Sequence, residues 1–512
     1  MMKGANKRMK TRPLALLASL FAFGLAGGAA ADTLRIGIAE DPNLLDPAQS
    51  GTLGERFVFA SLCDKLVDIS PKGELVPFLA TSWTLSPDQK QLTMTLRKDA
   101  VFHDGEKLDA AAVQFNIDRA KNLPESKRKQ ELAPVASVDA LDEFTVRFNL
   151  AQPFSPLLAQ LSDRAGMIVS PKAAKAMKPA DFANHPVCSG PYTFQQRIPQ
   201  ERIVVRKFPN YWNAANAHFD EVQYLTMPDA VVRFANVQSG QLDIAERIQP
   251  TDLARGQGDA RLKMYSVPSL SYNHLHINTN KPPRNNTPLA QNPKLREALD
   301  LAIDRKALVQ AVSNGVFLPG NQLEPPTSQW YVKEFPVQGR NIERAKQLVK
   351  EAGFTTVPVN LQILNATLDL QVAQIVQAMA RDAGFDIKIE AQETGTAVAR
   401  YFAGDFELFG GLWSGRVDPD GNIPTFLACD AGQNFSKWCN ADFDRLINAA
   451  RATSDFQQRY DDYKEATKIY QMDRPTIPIF HQVWVFAASA KLQGFTPYVD
   501  DIVRPVGLSL AK

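Results

Sequence analysis

Residues suited to binding a small ligand occur together in the segment 410–422, which reads GGLWSGRVDPDGN. Trp413 supplies a flat aromatic surface, and Arg416 supplies a planar guanidinium that matches a carboxylate or a phosphate. Asp418 and Asp420 supply hydrogen-bond acceptors, and the glycines permit close approach of the backbone. The segment therefore predicts a ligand-binding turn. A turn in which Arg416 simply pairs with one of its own aspartates is the alternative interpretation.

One pair of histidines has the spacing of metal ligands. His274 and His276 are two residues apart, so in a strand both side chains lie on the same face. An ordinary strand pattern is the preferred explanation of the pair, and we therefore predict no metal site. The chain contains no GxGxxG, P-loop, HExxH, GxSxG or CxxC motif. This absence favours a binding protein over an enzyme, with no cofactor.

The first 31 residues have the features of a secretory signal peptide. Five basic residues and no acid precede an apolar run at 14–25, and Ala29-Ala30-Ala31 provides a small-residue cleavage site before Asp32. We predict cleavage between Ala31 and Asp32 and a periplasmic location. The whole chain has 57 basic and 55 acidic residues, so loss of the five leaves a net charge of −3. This balance argues against a nucleic-acid partner.

Four cysteines in an exported chain favour disulfide bonds. Cys429 and Cys439 flank a short polar loop, which makes them the simplest local pair and leaves Cys63 for Cys188. Four cysteines allow three pairings, and buried free thiols are the alternative.

Two or more lobes are expected, because a chain of 512 residues exceeds what one core usually supports. The first half is rich in strand patterns, and the second half alternates helices with short strands, which is typical of an α/β lobe. A cap at Asn292 with Pro293 begins one predicted helix that continues to Gly315. Other predicted elements are strands at 33–38, 92–96, 144–148, 360–364 and 385–389, and helices at 110–119, 343–352 and 369–383.

The chain resembles the family 5 extracellular solute-binding proteins of ABC importers, the dipeptide- and oligopeptide-binding group. Several ordered blocks carry this resemblance, from about Leu34 to Phe495: Leu79–Asp88, Leu96–Lys98, Val101–Gly105, Ser189–Tyr192, Asn210–Trp212, Leu295–Leu299, Ala302–Arg305 and Trp413–Pro419.

The resemblance implies an α/β fold of two hinged lobes (a type II periplasmic binding protein) that close on a ligand, with an extra subdomain inserted in the first lobe. The implied boundaries are a signal peptide at 1–31, a first lobe from 32–67, 188–273 and 487–512, an inserted subdomain at 68–187, and a second lobe at 274–486. The implied partners are a peptide-like solute and an inner-membrane ABC permease, and we expect a monomer.

The resemblance also implies the ligand-binding residues. The turn residues are Trp413, Ser414, Gly415, Arg416 and Asp418. The loop after the first strand supplies Asp46 and Gln49. The two hinge crossings between the lobes, near 272–278 and 484–490, supply Tyr272, His274 and Trp484.

Peptide-binding members carry an aspartate shortly after the tryptophan, and this aspartate holds the α-ammonium of the ligand. Alignment on Trp413 places Arg416 at that position, so we expect an anionic group of the ligand there. Asp418 is the alternative amine ligand if the register shifts. Solutes other than peptides, namely opine-like conjugates, oligosaccharides and metal chelates, are the alternative ligand classes.

Overall fold

The computed structural model describes residues 32–511. The predicted signal peptide and its cleavage at Ala31 lie outside the described residues. None of the helices in the described part combines the length and the hydrophobicity that a membrane span requires.

One large mixed sheet forms the framework of the molecule. Its strands, in their order across the sheet, are β15 (Phe385–Gln392), β14 (Val357–Leu364), β16 (Leu408–Trp413), β12 (Leu262–Ile277), β17 (Thr476–Ser489), β11 (Ile244–Ala245), β1 (Thr33–Ile38), β10 (Glu221–Thr226), β9 (Arg202–Lys207) and β8 (Tyr192–Ile198), and β13 (Leu318–Pro319) pairs with β17. Two long antiparallel strands, β12 and β17, lie at its centre and join its two halves.

Smaller sheets occur outside this framework. A four-stranded antiparallel sheet has the order β4 (Ala80–Leu85), β5 (Gln91–Leu96), β7 (Thr145–Leu150) and β6 (Val135–Asp142), and its apolar core includes Met94 and Phe148. Two-stranded sheets are formed by β2 (Val67–Ile69) with β3 (Leu75–Pro77) and by β18 (Leu492–Gln493) with β19 (Ser509–Leu510). The domain boundaries inferred from the sequence stay predictions.

Helices pack against the sheets, and capping residues mark where several of them begin. Asp109 caps its helix by accepting from the backbone of Ala112. The helices are α1 (Leu53–Leu62), α2 (Ala110–Asn122), α3 (Leu157–Gln160), α4 (Pro171–Ala176), α5 (Pro179–Asn184), α6 (Ala230–Gln238), α7 (Leu253–Gln257), α8 (Pro288–Gln291), α9 (Pro293–Ala302), α10 (Arg305–Ser313), α11 (Ile342–Glu351), α12 (Thr367–Arg381), α13 (Thr394–Ala403), α14 (Pro424–Leu427), α15 (Ala441–Arg451) and α16 (Phe456–Asp473).

The prediction of one helix from Asn292 to Gly315 is wrong. The chain forms α9 and α10 instead, with a break at Ile303 and Asp304. The Asp304 side chain accepts from the backbone N–H of Ala307 and so caps a new helix. Because an aspartate can replace the missing intrahelical partner at a helix start, it favours a break there over continuation.

Separate apolar cores lie on the two sides of the central strands. One contains Leu34 and Val222 beside Trp484, and the other contains Leu299 and Leu361 beside Ile477. This separation suits two rigid bodies that share strands at their junction.

Both disulfide pairings are as predicted. Cys63 is bonded to Cys188, and Cys429 is bonded to Cys439. The Cys63–Cys188 bond lies in the same core as Leu34, and so it ties α1 to the segment before β8.

Candidate functional site

A cleft is defined by the carboxyl ends of strands from both halves of the sheet. β14 and β16 are parallel neighbours, as are β1 and β11. Ligands of α/β proteins commonly bind beyond the carboxyl ends of such strands. Charged residues follow each of these ends: Arg416 after β16, Asp369 after β14, Glu40 after β1 and Arg247 after β11.

The turn after β16 has a backbone that requires glycine. Gly415 has a φ of +62°, and a Cβ atom there would lie 2.2 Å from the carbonyl oxygen of Leu270 in β12. The turn is therefore pressed against a central strand of the sheet, which fixes the direction in which the next residue leaves.

Asn422 holds this turn together from a fully buried position. Its Oδ1 accepts from the backbone N–H of Arg416 at 2.7 Å and from the indole N–H of Trp413 at 3.2 Å. Its Nδ2 donates to the carbonyl of Arg416 at 2.9 Å and to Glu324 at 2.7 Å. Burial raises the pKa of Glu324 to about 7. The network fixes both the tryptophan and the arginine of the turn.

Arg416 forms an ion pair with a residue far away in the sequence. Its Nε lies 2.8 Å from Oδ2 of Asp163, and its guanidinium lies 4.8 Å from the centre of the Trp413 ring. Its Nη1 donates to the carbonyl of Gly415 at 2.6 Å. The alternative in which Arg416 pairs with an aspartate of its own segment is wrong, because Arg459 and Arg451 occupy those aspartates.

Three further arginines surround Asp163 and, with Arg416, form what we call the arginine cluster: Arg56, Arg128, Arg164 and Arg416. Burial alone would raise the pKa of Asp163, but these four cations hold it well below its usual range. Burial, together with repulsion from Arg128, lowers the pKa of Arg164 to about 9. Positive charge is therefore in excess around this carboxylate.

The other turn residues are held by protein partners. Ser414 accepts from Nη1 of Arg416 at 3.3 Å. Both carboxylate oxygens of Asp418 accept from Nη2 of Arg459 at 2.8 Å, and burial raises the pKa of Asp418. Asp418 thus has a full-charge partner already, and its role toward a ligand stays a prediction.

The two predicted residues of the first loop are also engaged. Asp46 is fully buried and accepts from Arg119 at 3.0 and 2.6 Å. Gln49 donates to Asp46 at 2.7 Å and to the carbonyl of Pro179 at 3.1 Å. These contacts join the loop to α2 and α5 and do not bring it to the turn after β16.

The predicted hinge residues lie in the central strands. Tyr272 is opposite Trp413 in the β12–β16 pairing, and its hydroxyl is buried without a hydrogen-bond partner in the described structure. His274 bonds through Nδ1 to the Thr476 hydroxyl at 2.8 Å, and burial lowers its pKa to about 4. Trp484 is buried in β17, with the Arg247 guanidinium 5.0 Å from its ring centre.

His274 and His276 do lie side by side, as the strand pattern predicts. Their ring centres are 5.7 Å apart, and Nδ1 of His276 bonds to the Tyr401 hydroxyl at 2.6 Å. Among residues 32–511, however, no group of three or more His, Cys, Asp or Glu side chains is placed to hold a metal ion. The pair is part of an aromatic core around Phe426.

A second charged group faces the cleft, and no pattern in the sequence predicts it. Arg247 has a φ of +52° and pairs with Glu40 at 2.9 Å and with Glu246 at 3.0 Å. Left-handed backbone at a residue other than glycine is costly and is often found at functional sites. Asp369 lies in the first turn of α12, where burial raises its pKa, the charge of Arg247 lowers it and the charge of Glu40 raises it. No local motif marks these residues, because strands distant in sequence bring them together.

Comparisons with known proteins identify the class. The structure matches that of an ABC transporter-associated periplasmic binding protein from Helicobacter pylori in complex with the peptide STSA, with a TM-score of 0.85 and 25% identity over 94% of this chain and 98% of that one. The fold is thus that of the two-lobe α/β periplasmic binding proteins.

Sequence comparison gives the family. The family model of the bacterial extracellular solute-binding proteins, family 5 (middle region), matches residues 74–434. The chain is 30% identical to the dipeptide-binding protein of Escherichia coli K12, over 97% of both chains. It is 28% identical to the glutathione-binding protein GsiB of Salmonella paratyphi A, over 94% of both. The chain belongs to the family 5 bacterial extracellular solute-binding proteins.

Proposed function

We propose that this protein captures a peptide or peptide-like solute in the cleft between its lobes and delivers it to an ABC permease. The observation that carries this proposal is the full-length similarity to dipeptide- and glutathione-binding proteins. The protein would be exported by its signal peptide and would act in the periplasm as a monomer. It would work as a receptor, not an enzyme, without a cofactor or nucleic-acid partner. Opine-like conjugates, oligosaccharides and metal chelates are less supported ligands.

Closure of the two lobes would provide the mechanism. A ligand that binds the closed form better than the open form shifts the population toward closure, and the closed form then presents both lobes to the permease. The shared strands β12 and β17 suit a hinge, because they continue from one half of the sheet into the other.

The turn after β16 would supply the main ligand contacts. Trp413 offers its ring, Ser414 and Gly415 offer backbone groups, and Arg416 offers its guanidinium to an anionic group. Tyr272, opposite Trp413, and Trp484, beside Arg247, lie on the central strands and would line the floor of the cleft. His274, Asp46, Gln49 and Asp418 have protein partners, and we assign them to positioning the surrounding elements.

Substitution of Arg416 tests this assignment. Arg416→Ala should weaken binding of a carboxylate-bearing ligand by about tenfold to a hundredfold, because a charge-assisted hydrogen bond is lost. Calorimetric titration measures the change, and circular dichroism checks that the variant folds. Arg381→Ala, at an exposed arginine of α12, is the matched control and should bind as the parent does. Equal affinity of Arg416→Ala and Arg381→Ala would contradict the assignment.

A further inference from the structure

A carboxylate without a protein partner faces the cleft. Asp369 is half-buried in the first turn of α12, and within residues 32–511 it makes no hydrogen bond or ion pair. Burial raises its pKa to about 7, while Arg247 lowers it and Glu40 raises it. Glu40 and Glu246 already share Arg247, so neither Arg247 nor another cation neutralises Asp369 directly. A cationic group of a ligand would supply the missing partner.

The arginine cluster, in contrast, lacks hydrogen-bond acceptors and compensating negative charge. Nη1 of Arg56, Nε of Arg128 and Nε of Arg164 are buried N–H donors without an acceptor in the described structure. These three side chains are only 7%, 3% and 4% exposed.

The carboxylates around the cluster do not balance its charge. Asp163 and Glu131 pair with members of the cluster. Asp500 lies 3.9 Å from Arg56 but is paired with Arg504 at 3.0 Å. Buried donors and uncompensated positive charge both favour an oxyanion.

The two groups lie beyond the carboxyl ends of neighbouring strands, where one ligand can meet both. β14 makes its last pairing with β16 at Ile363 and Gly410, and β16 continues for three more residues to Trp413. At about 3.3 Å per residue, the turn that carries Arg416 begins about 10 Å beyond that pairing. Asp369 follows the end of β14 itself. An extended dipeptide holds its two opposite charges about 7 Å apart, so it carries the two groups that Asp369 and the arginine cluster lack.

We propose that the cleft orients a zwitterionic solute, with its carboxylate on the arginine cluster and its ammonium on Asp369. This inference rests on the proposed function and adds the residues that hold each end of the ligand and a direction of binding. The direction is opposite to the one implied by an aspartate at the position of Arg416. Asp369 would replace that aspartate as the amine anchor, and the cations of the cluster would exclude an ammonium from the turn.

Blocked dipeptides test the direction. The probes are Ala-Ala, Met-Leu and Ala-Asp, each with free termini, with an acetylated amine, or with an amidated carboxylate. Binding to the refolded protein is measured by calorimetry. In the parent protein, each block should weaken binding at least about tenfold. In Asp369→Asn, acetylation should change the affinity less than about twofold, whereas amidation should still weaken binding. In Arg416→Gln, amidation should change the affinity less than about twofold, whereas acetylation should still weaken binding.

The control is Asp386→Asn, at an exposed aspartate of β15, which should respond to both blocks as the parent does. Binding of the parent that is insensitive to acetylation would overturn the proposal while leaving the proposed function intact. So would an acetylation effect that persists in full in Asp369→Asn. Failure of all nine probes to bind the parent would contradict both this proposal and the peptide-binding function.

Discussion

Replacing Gly415 with alanine is expected to destabilise the protein by about 2–4 kcal/mol and to abolish ligand binding. The added methyl group would lie 2.2 Å from the Leu270 carbonyl, which belongs to the central strand β12 and cannot move aside cheaply. Left-handed backbone costs an alanine about 1 kcal/mol, and overpacking costs about 1–3 kcal/mol more. Movement of the turn would also displace Arg416.

Thermal unfolding and ligand titration measure the two effects of Gly415→Ala. Gly339→Ala is the matched control, since a Cβ atom at Gly339 meets nothing within 4 Å. The control should unfold and bind like the parent. A Gly415→Ala variant with parental stability and affinity would show that the turn is not pressed against β12.

Replacing Asn422 with alanine should have the second large effect. The substitution leaves the N–H of Arg416, the indole of Trp413 and the carboxylate of Glu324 without their buried partner. Unsatisfied buried groups cost about 1–3 kcal/mol each, and partial relaxation makes a total loss of about 2–4 kcal/mol reasonable. Binding should weaken as well, because Trp413 and Arg416 lose their fixed positions.

Denaturant titration and calorimetry of Asn422→Ala check this expectation. Asn286→Ala, at an exposed asparagine, serves as the control and should match the parent in both. An Asn422→Ala variant as stable as this control would mean that the turn is held by contacts other than the amide network.

Local sequence patterns predicted most of the framework. The strand at Thr33–Ile38 and the helix capped by Asp109 occur where expected, because alternation and capping act within a few residues. The break between α9 and α10 is not predicted by the apolar pattern, although Asp304 is a capping residue. The apolar positions on both sides keep the same helical spacing, and this pattern continues across the cap.

The site was predictable only where it is local. The turn at 410–422 combines its chemistry within one segment, so its residue types identify it. The partner of Arg416 could not be found in this way, since Asp163 lies about 250 positions earlier and is brought close only by the fold. Asp369 and Arg247 could not be paired from the sequence either, because they follow strands on opposite sides of the cleft.

The most direct test of the central claim is small-angle X-ray scattering of the refolded protein during a dipeptide titration, with chromatography of the dipeptide afterwards. The account predicts saturable binding, a decrease in the radius of gyration that follows occupancy, and recovery of the dipeptide intact. Binding without compaction would contradict a hinge-closing receptor, and cleavage of the dipeptide would contradict a receptor that does no chemistry.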